Sequence, residues 1–381
     1  MPTLPMISLG NSRFSFFLLM LNRLSLLGLT LGWLWLMAIP SQAARLLRVA
    51  IAQRVTSIKV GTSTPGIVRD RTGRILGKIP PLDSSLGQLR GGKVVFKQWR
   101  GSQLLIEPEA GGYVWIGNGW YRGKVRLLAT KSGLFAINNV DLEQYLYSVI
   151  GAEMHPHWPL EALKAQAVAA RTYTLYKLKT SPSALFDMGN TVIWQVYKGL
   201  NTESLNTQEA VNATTSQIMT YSGKPILAVF HAAGGGHTEN VENVWSNSLP
   251  YLRGVPDYDR DTPAYQWIKR FSPSQVSSRL GVSNVKRFIS LRRSPYGRVL
   301  KMKVVGVGSS KYFTGVQLRE RLGLRSTKFR VIPTDSGFTI EGNGFGHGLG
   351  LSQWGAYKLA LQGSSYDRIL RHYYRGVKIG Q

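Results

Sequence analysis

The 381-residue sequence contains no cysteine, which excludes disulfide bonds, thiolate nucleophiles and cysteine-based metal sites. Acidic residues are also scarce, because 20 Asp and Glu stand against 47 Lys and Arg, for a formal net charge of +27. Hydrophobic residues make up 43% of the chain and charged residues 18%. This balance supports a packed core and argues against a disordered chain. We find no internal repeat, heptad pattern or low-complexity linker.

Several catalytic signatures are missing as well. No G-x-S-x-G elbow is present, which argues against a serine nucleophile of the α/β-hydrolase type. The glycines of residues 342–350 fall at alternate positions, so no G-x-G-x-x-G dinucleotide fingerprint fits. The six histidines match no zinc pattern such as His-Glu-x-x-His. We therefore predict no metal and no cofactor.

The N-terminal residues resemble an export signal. Arg23 precedes an apolar run over 24–39, Pro40 breaks that run, and small residues follow up to Ala43. This order predicts a secretory signal over residues 1–43. A retained membrane anchor is the alternative, because about 16 apolar residues lie close to the lower limit for spanning a bilayer. In both cases we expect an exported protein of the periplasm or cell wall, with membrane contact only through an uncleaved N-terminal segment.

The positive charge is concentrated in two segments. Residues 44–140 carry 16 Lys and Arg against four acidic residues, and residues 257–330 carry 17 against four. Such a field attracts polyanions. Outside the cytoplasm these are wall polymers and lipid head groups rather than nucleic acid, and glycan freed of its peptides exposes one lactyl carboxylate per muramic residue. A role in solubility alone is the alternative, since net charge does not specify a partner.

The hydrophobic pattern changes along the chain. Residues 46–136 contain short alternating segments separated by glycine-containing turns, which predict β-strands. Asp141 then caps a short helix, and Pro159 begins a long alanine-rich helix. We predict an α+β fold with a β-rich N-terminal part, a helical catalytic core and a mixed C-terminal part, forming two lobes around a groove. The expected boundaries are 44–140, 141–255 and 256–381.

The loop between these two helices contains Glu153, bordered by apolar and aromatic residues. Such surroundings disfavour a charged carboxylate and raise its pKa, which suits a general acid. An ordinary solvated loop carboxylate is the alternative. On the next helix Lys164 and Arg171 are seven residues apart and share a face over small residues, so they are able to present charge to a ligand. A solvated charge stripe is the alternative there.

Two glycine-rich loops lie later in the chain. His231 and His237 flank three glycines, which allow a sugar or another backbone segment to come close. The glycines of 342–350 lead directly into a helix, an arrangement that is able to bind an anion. We expect His347 and Gln353 to face that crevice. A tight structural turn is the alternative reading of this segment.

The motif Asp-Leu-Glu-Gln-Tyr-Leu-Tyr-Ser-Val-Ile-Gly-Ala-Glu-Met at 141–154, with the block at 158–173, resembles the signature of the SpoIID/LytB family (stage II sporulation protein D and amidase enhancer). Further blocks that resemble the family lie at 195–199, 229–236 and 344–356.

The resemblance implies a lytic transglycosylase that cleaves MurNAc-GlcNAc bonds of peptidoglycan, preferring strands without stem peptides. It implies that Glu153 is the general acid and base. It also implies that the substrate groove is lined by Lys164, Arg171, Gln195 and His231. A non-catalytic wall-binding enhancer of an N-acetylmuramoyl-L-alanine amidase is the alternative, and that amidase is then a partner. An exported structural protein that binds polyanions is a third hypothesis.

Two segments depart from the family pattern. Some members carry cysteine metal ligands before the Gln-x-Tyr block, whereas residues 186–194 here contain neither cysteine nor histidine, so we predict no metal there. Ala232 and Ala233 stand where the family usually has serines. The serine hydroxyl groups of those members are therefore missing here and make no contact with sugar.

The signal reading makes a direct prediction. We expect signal peptidase to cleave after Ala43, because small residues at this site follow the helix-breaking Pro40. N-terminal sequencing of the protein recovered from the cell envelope is expected to start at Ala44. A product that retains Met1 would contradict cleavage and favour the anchor.

Overall fold

The computed structural model describes residues 45–245 and 247–380. Residues 1–44 lie outside the described residues, and with them the predicted signal. No helix of the described part is long and apolar enough to cross a membrane. Within the described ranges the chain forms 24 β-strands and seven α-helices, so the predicted α+β class with a β-rich N-terminal region is confirmed.

The strands of the N-terminal region are β1 Leu46–Val55, β2 Ser57–Thr62, β3 Gly66–Arg69, β4 Ile75–Ile79, β5 Ser85–Arg90, β6 Lys93–Phe96, β7 Trp99–Gly101, β8 Gln103–Pro108, β9 Val114–Ile116, β10 Gly119–Tyr121, β11 Lys124–Thr130 and β12 Gly133–Asp141. The later strands are β13 Met188–Gly189, β14 Ile218–Tyr221, β15 Lys224–Pro225, β16 Phe230–His231, β17 Gln266–Phe271, β18 Arg287–Arg293, β19 Val299–Val305, β20 Ser310–Thr314, β21 Phe329–Thr334, β22 Gly337–Asn343, β23 Leu351–Ser352 and β24 Lys378–Gly380. The helices are α1 Leu142–Glu153, α2 Leu160–Thr180, α3 Leu205–Asn212, α4 Pro273–Leu280, α5 Gly315–Leu322, α6 Gln353–Leu361 and α7 Tyr366–Tyr373.

Two sheets build the N-terminal region. One has seven strands in the order β13-β1-β12-β11-β8-β3-β4, and the other has six in the order β10-β9-β2-β5-β6-β7. Alternate residues of single strands are buried, for example Leu104 and Ile106 on β8 or Val125 and Leu127 on β11. This alternation is the pattern that predicted strands here, since successive side chains of a strand point to opposite faces.

α1 and α2 follow the sheets directly. The Asp141 carboxylate caps α1, as predicted, by accepting hydrogen bonds from the backbone N–H groups of Glu143 at 2.9 Å and Gln144 at 3.2 Å. Pro159 precedes the first residue of α2. α2 is buried along residues 165–174 and packs against α1, α3, α6 and α7. Its five buried alanines allow these close approaches, because a methyl side chain adds little width to a helix.

The described residues form two hydrophobic clusters. The first unites both N-terminal sheets, α1, α2 and the C-terminal helices. The second is confined to residues between Trp267 and Ile340 and is covered by two three-stranded sheets, β17-β22-β21 and β18-β19-β20, together with α4 and α5. The chain rejoins the first cluster at Leu349. The predicted C-terminal part, 256–381, therefore contributes to both clusters, and a groove between two lobes stays a prediction.

Arg171 connects α2 to α1 inside the first cluster. Its side chain is only 1% exposed. Its Nε and Nη2 atoms donate to the two carboxylate oxygens of Glu143, at 2.8 Å and 2.5 Å. Nη1 donates to the backbone oxygen of Gln217 at 3.1 Å. The guanidinium thus holds the first turn of α1 against the middle of α2 by a bidentate ion pair.

We expect Arg171→Ala to lower the free energy of unfolding by about 3–5 kcal/mol, because it leaves the largely buried carboxylate of Glu143 without its partner. Urea unfolding curves of the purified protein measure this loss. Lys179→Ala, in the exposed last turn of the same helix, is the control and is expected to stay within about 0.5 kcal/mol of wild type. An Arg171→Ala protein as stable as this control would contradict a supporting role for the pair.

Candidate active site

Glu153 is the last residue of α1, because this helix extends to the residue that the sequence placed in the following loop, and its side chain is half-buried. Its Oε1 accepts a hydrogen bond of 3.0 Å from the backbone N–H of Val196. Burial raises the pKa of this carboxyl above its ordinary value, and the Val196 N–H and the Gln353 amide oppose the shift only in part. The C-terminal end of α1 acts in the same direction as burial, because it carries partial negative charge. A carboxyl of this kind keeps its proton at a higher pH than a solvated one.

Gln195 positions the backbone that contacts Glu153. Its side chain is 1% exposed, and its amide forms hydrogen bonds to other groups of the protein. Oε1 accepts from the hydroxyl of Tyr145 on α1 at 3.2 Å, and Nε2 donates to the backbone oxygen of Ala170 on α2 at 3.0 Å. These bonds fix residue 195 and thereby the N–H of Val196 next to it. Gln195 therefore acts on Glu153 only through the N–H of Val196, and its own amide faces α1 and α2.

Gln353 reaches the site from the other end of the chain. It is the first residue of α6, which the hydroxyl of Ser352 caps by accepting from the Gly355 N–H at 3.2 Å. Gln353 is 6% exposed, and its amide lowers the pKa of Glu153. Its buried Nε2 forms no hydrogen bond of ordinary geometry to a described group, yet the amide lowers the pKa of Glu153, so the N–H₂ group is directed at the Glu153 carboxyl. A buried amide donor normally finds a partner, and the carboxyl is the one that it has here.

His231 and His347 are adjacent, with ring centroids 5.3 Å apart. The Nδ1 of His231 lies 3.0 Å from the backbone oxygen of Leu349, and because a carbonyl only accepts, Nδ1 carries the proton. Nδ1 of His347 instead accepts from the Leu349 N–H at 3.0 Å. Burial lowers the pKa of both rings, that of His347 to about 4. Both are therefore neutral at physiological pH and offer hydrogen bonds rather than charge.

The two predicted cations have partners away from Glu153. Lys164 forms an ion pair of 2.8 Å with Glu161, three residues earlier on α2. Glu161 also accepts a hydrogen bond from the backbone N–H of Tyr366 at 2.7 Å, which joins α2 to α7. Arg171 pairs with Glu143 as described above. In the described part of the chain neither cation forms an ion pair with Glu153, and Arg171 is too deeply buried to contact a polymer.

The three glycines between His231 and His237 are held by carboxylates of the chain itself. The N–H of Gly234 donates to Asp257 at 2.8 Å, and those of Gly235 and Gly236 donate to Asp259 at 2.6 Å and 2.8 Å. Gly235 and Gly236 both have positive φ, which only glycine adopts at little cost. This loop therefore resembles an anion-binding nest that is already filled from within.

Three aromatic side chains that the sequence analysis did not single out lie along the same two chain segments. Trp158 belongs to the loop after Glu153, and Trp354 follows Gln353 directly. The ring of Trp158 lies 4.6 Å from that of Trp354 and 5.0 Å from that of Tyr357. All three are half-buried. The available signal was their position, since each is within five residues of a predicted site residue.

Other features of the described residues lie elsewhere. A cavity of about 460 Å³ is lined by residues between 266 and 343, among them Trp267, Arg293 and Arg330, and by none of the residues above. Within the described ranges no group of three or more histidine and acidic side chains is arranged to hold a metal ion. The raised pKa of Glu153 and the Gln353 amide directed at its carboxyl mark the surroundings of Glu153, and we therefore take these as the candidate site.

The raised pKa of Glu153 has a consequence for stability. The folded protein binds a proton at Glu153 up to a higher pH than the unfolded chain, so this residue costs stability as pH rises above the ordinary pKa of glutamate, about 4.3. We expect Glu153→Gln to gain stability relative to wild type between pH 4 and pH 7. Urea unfolding at both pH values measures it, with Glu209→Gln on the exposed side of α3 as control. An equal difference from wild type at the two pH values would contradict the raised pKa.

Comparison with known proteins supports a family assignment. A family model described as "Stage II sporulation protein" matches residues 130–221, which contain α1, α2 and Glu153. A second model, described as "Domain of unknown function (DUF8618)", matches residues 258–350, which contain the second hydrophobic cluster.

Relatives extend the match over most of the chain. Stage II sporulation protein D of Bacillus amyloliquefaciens is 35% identical over 65% of this chain and 76% of its own length. An uncharacterized protein of Brachyspira hyodysenteriae is 35% identical over 68% of this chain and 72% of its own length. The amidase enhancer of Bacillus subtilis is 31% identical over 61% of this chain, but over only 40% of its own length. On this coverage and identity, the chain belongs to the SpoIID/LytB family.

Proposed function

We propose that this protein is an exported lytic transglycosylase that cleaves the MurNAc-GlcNAc bonds of peptidoglycan glycan strands, with Glu153 as acid and then base. The family role in sporulation and amidase enhancement agrees with a substrate in the cell wall. The observation that carries the proposal is one carboxyl whose pKa is raised by burial, while the described acidic residues nearest to it in sequence are engaged by other groups. Hydrolytic glycosidases normally need two carboxylates, one of which activates water or attacks the sugar.

The neighbouring carboxylates are already committed to other groups. Asp141 caps α1, Glu143 pairs with Arg171, and Glu161 pairs with Lys164 while it accepts from the Tyr366 N–H. None of them is free to serve as the second catalytic group. A reaction whose nucleophile comes from the substrate needs only one carboxyl, so this arrangement favours the transglycosylase over a hydrolase.

The proposed reaction balances without water. The Glu153 carboxyl donates its proton to the bridging oxygen while the bond from that oxygen to C1 of MurNAc breaks. The resulting carboxylate then takes the proton of the C6 hydroxyl of the same MurNAc, whose oxygen bonds to C1. The products are a strand that ends in 1,6-anhydro-MurNAc and a strand with a free GlcNAc hydroxyl. Glu153 finishes protonated, ready for another cycle.

The other residues then have distinct proposed roles. Gln353 directs its amide N–H₂ at the reacting carboxyl. Trp158, Trp354 and Tyr357 supply an apolar surface on which a sugar ring is able to rest, as aromatic rings do for flat apolar faces. Lys164, His231 and His347 remain proposed groove residues. Gln195 and Arg171 act by positioning, the first through Val196 and the second through α1.

We expect Glu153→Gln to lose at least about a hundredfold in cleavage rate, because the amide cannot donate a proton to the leaving oxygen. The assay uses glycan strands freed of stem peptides and mass spectrometry of the products, which are expected to be anhydro-muramyl ends. Glu209→Gln, an exposed carboxylate on α3, is the matched control and is expected to cleave like wild type.

The amidase-enhancer hypothesis gives a different result in the same experiment. Wild-type protein would then release no anhydro ends but would raise the turnover of an added N-acetylmuramoyl-L-alanine amidase on intact peptidoglycan. The amidase effect would also survive Glu153→Gln. Reducing-end products without the anhydro ring would instead indicate a hydrolase and overturn the internal nucleophile.

A further inference from the structure

The antiparallel sheet β18-β19-β20 has one face that the second hydrophobic cluster covers and one that it does not. Met302 and Val304 of β19 and Phe313 of β20 are buried in that cluster. Their sequence neighbours Lys301, Lys303 and Tyr312 point to the opposite side, because alternate residues of a strand face opposite ways. On this second side Arg287, Arg292, Lys301 and Tyr312 are exposed.

The register shows which residues share this side. Lys303 pairs with Ile289 of β18 and with Tyr312 of β20, and Lys301 pairs with Arg292. We call this side the outer face of the sheet and define it by the residues Arg287, Ile289, Arg292, Lys301, Lys303 and Tyr312. Four of these six residues are cationic.

The cations of the outer face have no acidic partners. In the described ranges Arg287, Arg292, Lys301 and Lys303 form no ion pair, whereas Arg330 on β21 of the same segment pairs with Glu341. Arg292 and Lys301 stand directly opposite each other, and like charges in opposite positions of two strands are destabilising. Repulsion between these cations therefore destabilises the free protein. No described acidic group offsets it, and a bound anion relieves it.

Apolar surface lies between these charges. The ring of Tyr312 is 58% exposed, and the Nζ atoms of Lys301 and Lys303 lie 5.2 Å and 5.7 Å from its centre. The half-buried side chain of Ile289 lies in the same row across the strands. A polymer of simple phosphodiesters uses only the charges, whereas a glycan with carboxylates uses both features, because sugar rings have apolar faces between their acidic groups.

We propose that the outer face of the β18–β20 sheet is a second glycan-binding surface, which binds carboxylate-bearing strands and takes no part in bond cleavage. The choice of a cell-wall glycan rests on the proposed function, but binding at this face does not require that Glu153 be catalytic. The surface belongs to the segment of 258–350 that matches the domain of unknown function. Its role is to hold the polymer while the Glu153 region acts on it.

The test measures binding in a Glu153→Gln background. The measured affinity then does not depend on whether the wild-type protein cleaves the strands. The ligands are glycan strands freed of stem peptides and the same strands with their carboxylates reduced to alcohols. The variant is Lys301→Gln with Lys303→Gln. The matched control is Lys59→Gln with Lys131→Gln, two exposed lysines of the N-terminal sheets that also form no ion pair in the described chain and remove the same net charge.

We expect the Lys301/Lys303 variant to bind carboxylated strands at least about tenfold more weakly, because two contacts between a cation and a carboxylate are lost. The control is expected to bind like its parent, and reduced strands are expected to bind all three proteins weakly. Tyr312→Ser is expected to weaken binding of the glycan further. Calorimetric titration measures the affinities, and circular dichroism confirms that the variants are folded.

Three outcomes would overturn the proposal. Equal losses in the variant and the control would assign the effect to net charge alone. Equal binding of carboxylated and reduced strands would remove the carboxylate from recognition. Tighter binding of poly(glycerol phosphate) or duplex DNA than of the glycan, with no effect of Tyr312→Ser, would assign the face to a phosphate polymer.

Discussion

The buried ion pair between Arg171 and Glu143 is the interaction on which the position of Glu153 depends. A guanidinium that is 1% exposed is tolerated only when its donors are satisfied, and here Glu143 and the backbone oxygens of Gln217 and Val211 satisfy them. Glu143 lies in the first turn of α1 and Glu153 in the last. Fixing one end of a rigid helix against α2 limits where the other end can lie. The hydrogen bond from the Val196 N–H then fixes the position of the Glu153 carboxylate itself.

A second set of buried charges ties the two hydrophobic clusters to the same region. Asp257 and Asp259 accept the N–H groups of the three-glycine loop. From the opposite side Arg298 donates to the backbone oxygen of Gly234 at 3.2 Å and Lys328 donates to that of Gly235 at 2.7 Å. Arg298 and Lys328 belong to the segment of the second cluster, so this loop is held from both clusters.

This loop leads back to the candidate site through short strands. His231 on β16 pairs with Ser352 on β23, and Ser352 caps the helix that begins with Gln353. The Trp354 N–H also donates to the backbone oxygen of Ala232 at 3.0 Å. The position of the Gln353 donor is therefore coupled to the glycine loop and its carboxylates. Burial and the neighbouring Asp259 raise the pKa of Asp257 to about 6, so the loop depends on a carboxylate that gains a proton in mildly acidic solution.

Local patterns in the sequence predicted the local structure. Alternation predicted the strands of residues 46–136, and the Asp141 cap and Pro159 marked where α1 and α2 begin. Such patterns do not predict which residues contact each other when they lie far apart in the sequence. The seven-residue spacing of Lys164 and Arg171 predicts a shared helix face, but it does not reveal that Glu143 lies 28 residues before Arg171 and takes up its charge.

The fold of the later part of the chain was harder to predict for the same reason. β16 and β23 are parallel partners about 120 residues apart, and they return the chain to the first cluster after the second is complete. Gln353 was predicted to face a crevice, and the structure places its amide near Glu153. Trp354 and Tyr357 were not predicted as site residues, because their closeness in sequence to Gln353 does not reveal that they pack against Trp158 in the loop after Glu153.

The distribution of charge separates binding from chemistry. Lys164 and Arg171 are paired with Glu161 and Glu143, and the pKa of Glu153 is shifted by burial and by the hydrogen bonds of Val196 and Gln353 rather than by the charge of a cation. Free cations near Glu153 would lower its pKa and so oppose the effect of burial. For the proposed function, in which an anionic polymer is bound and one carboxyl of raised pKa gives up its proton, unpaired cations are therefore better placed elsewhere. The outer face of the β18–β20 sheet meets that requirement, because its lysines and arginines belong to a separate hydrophobic cluster from the one that buries α1.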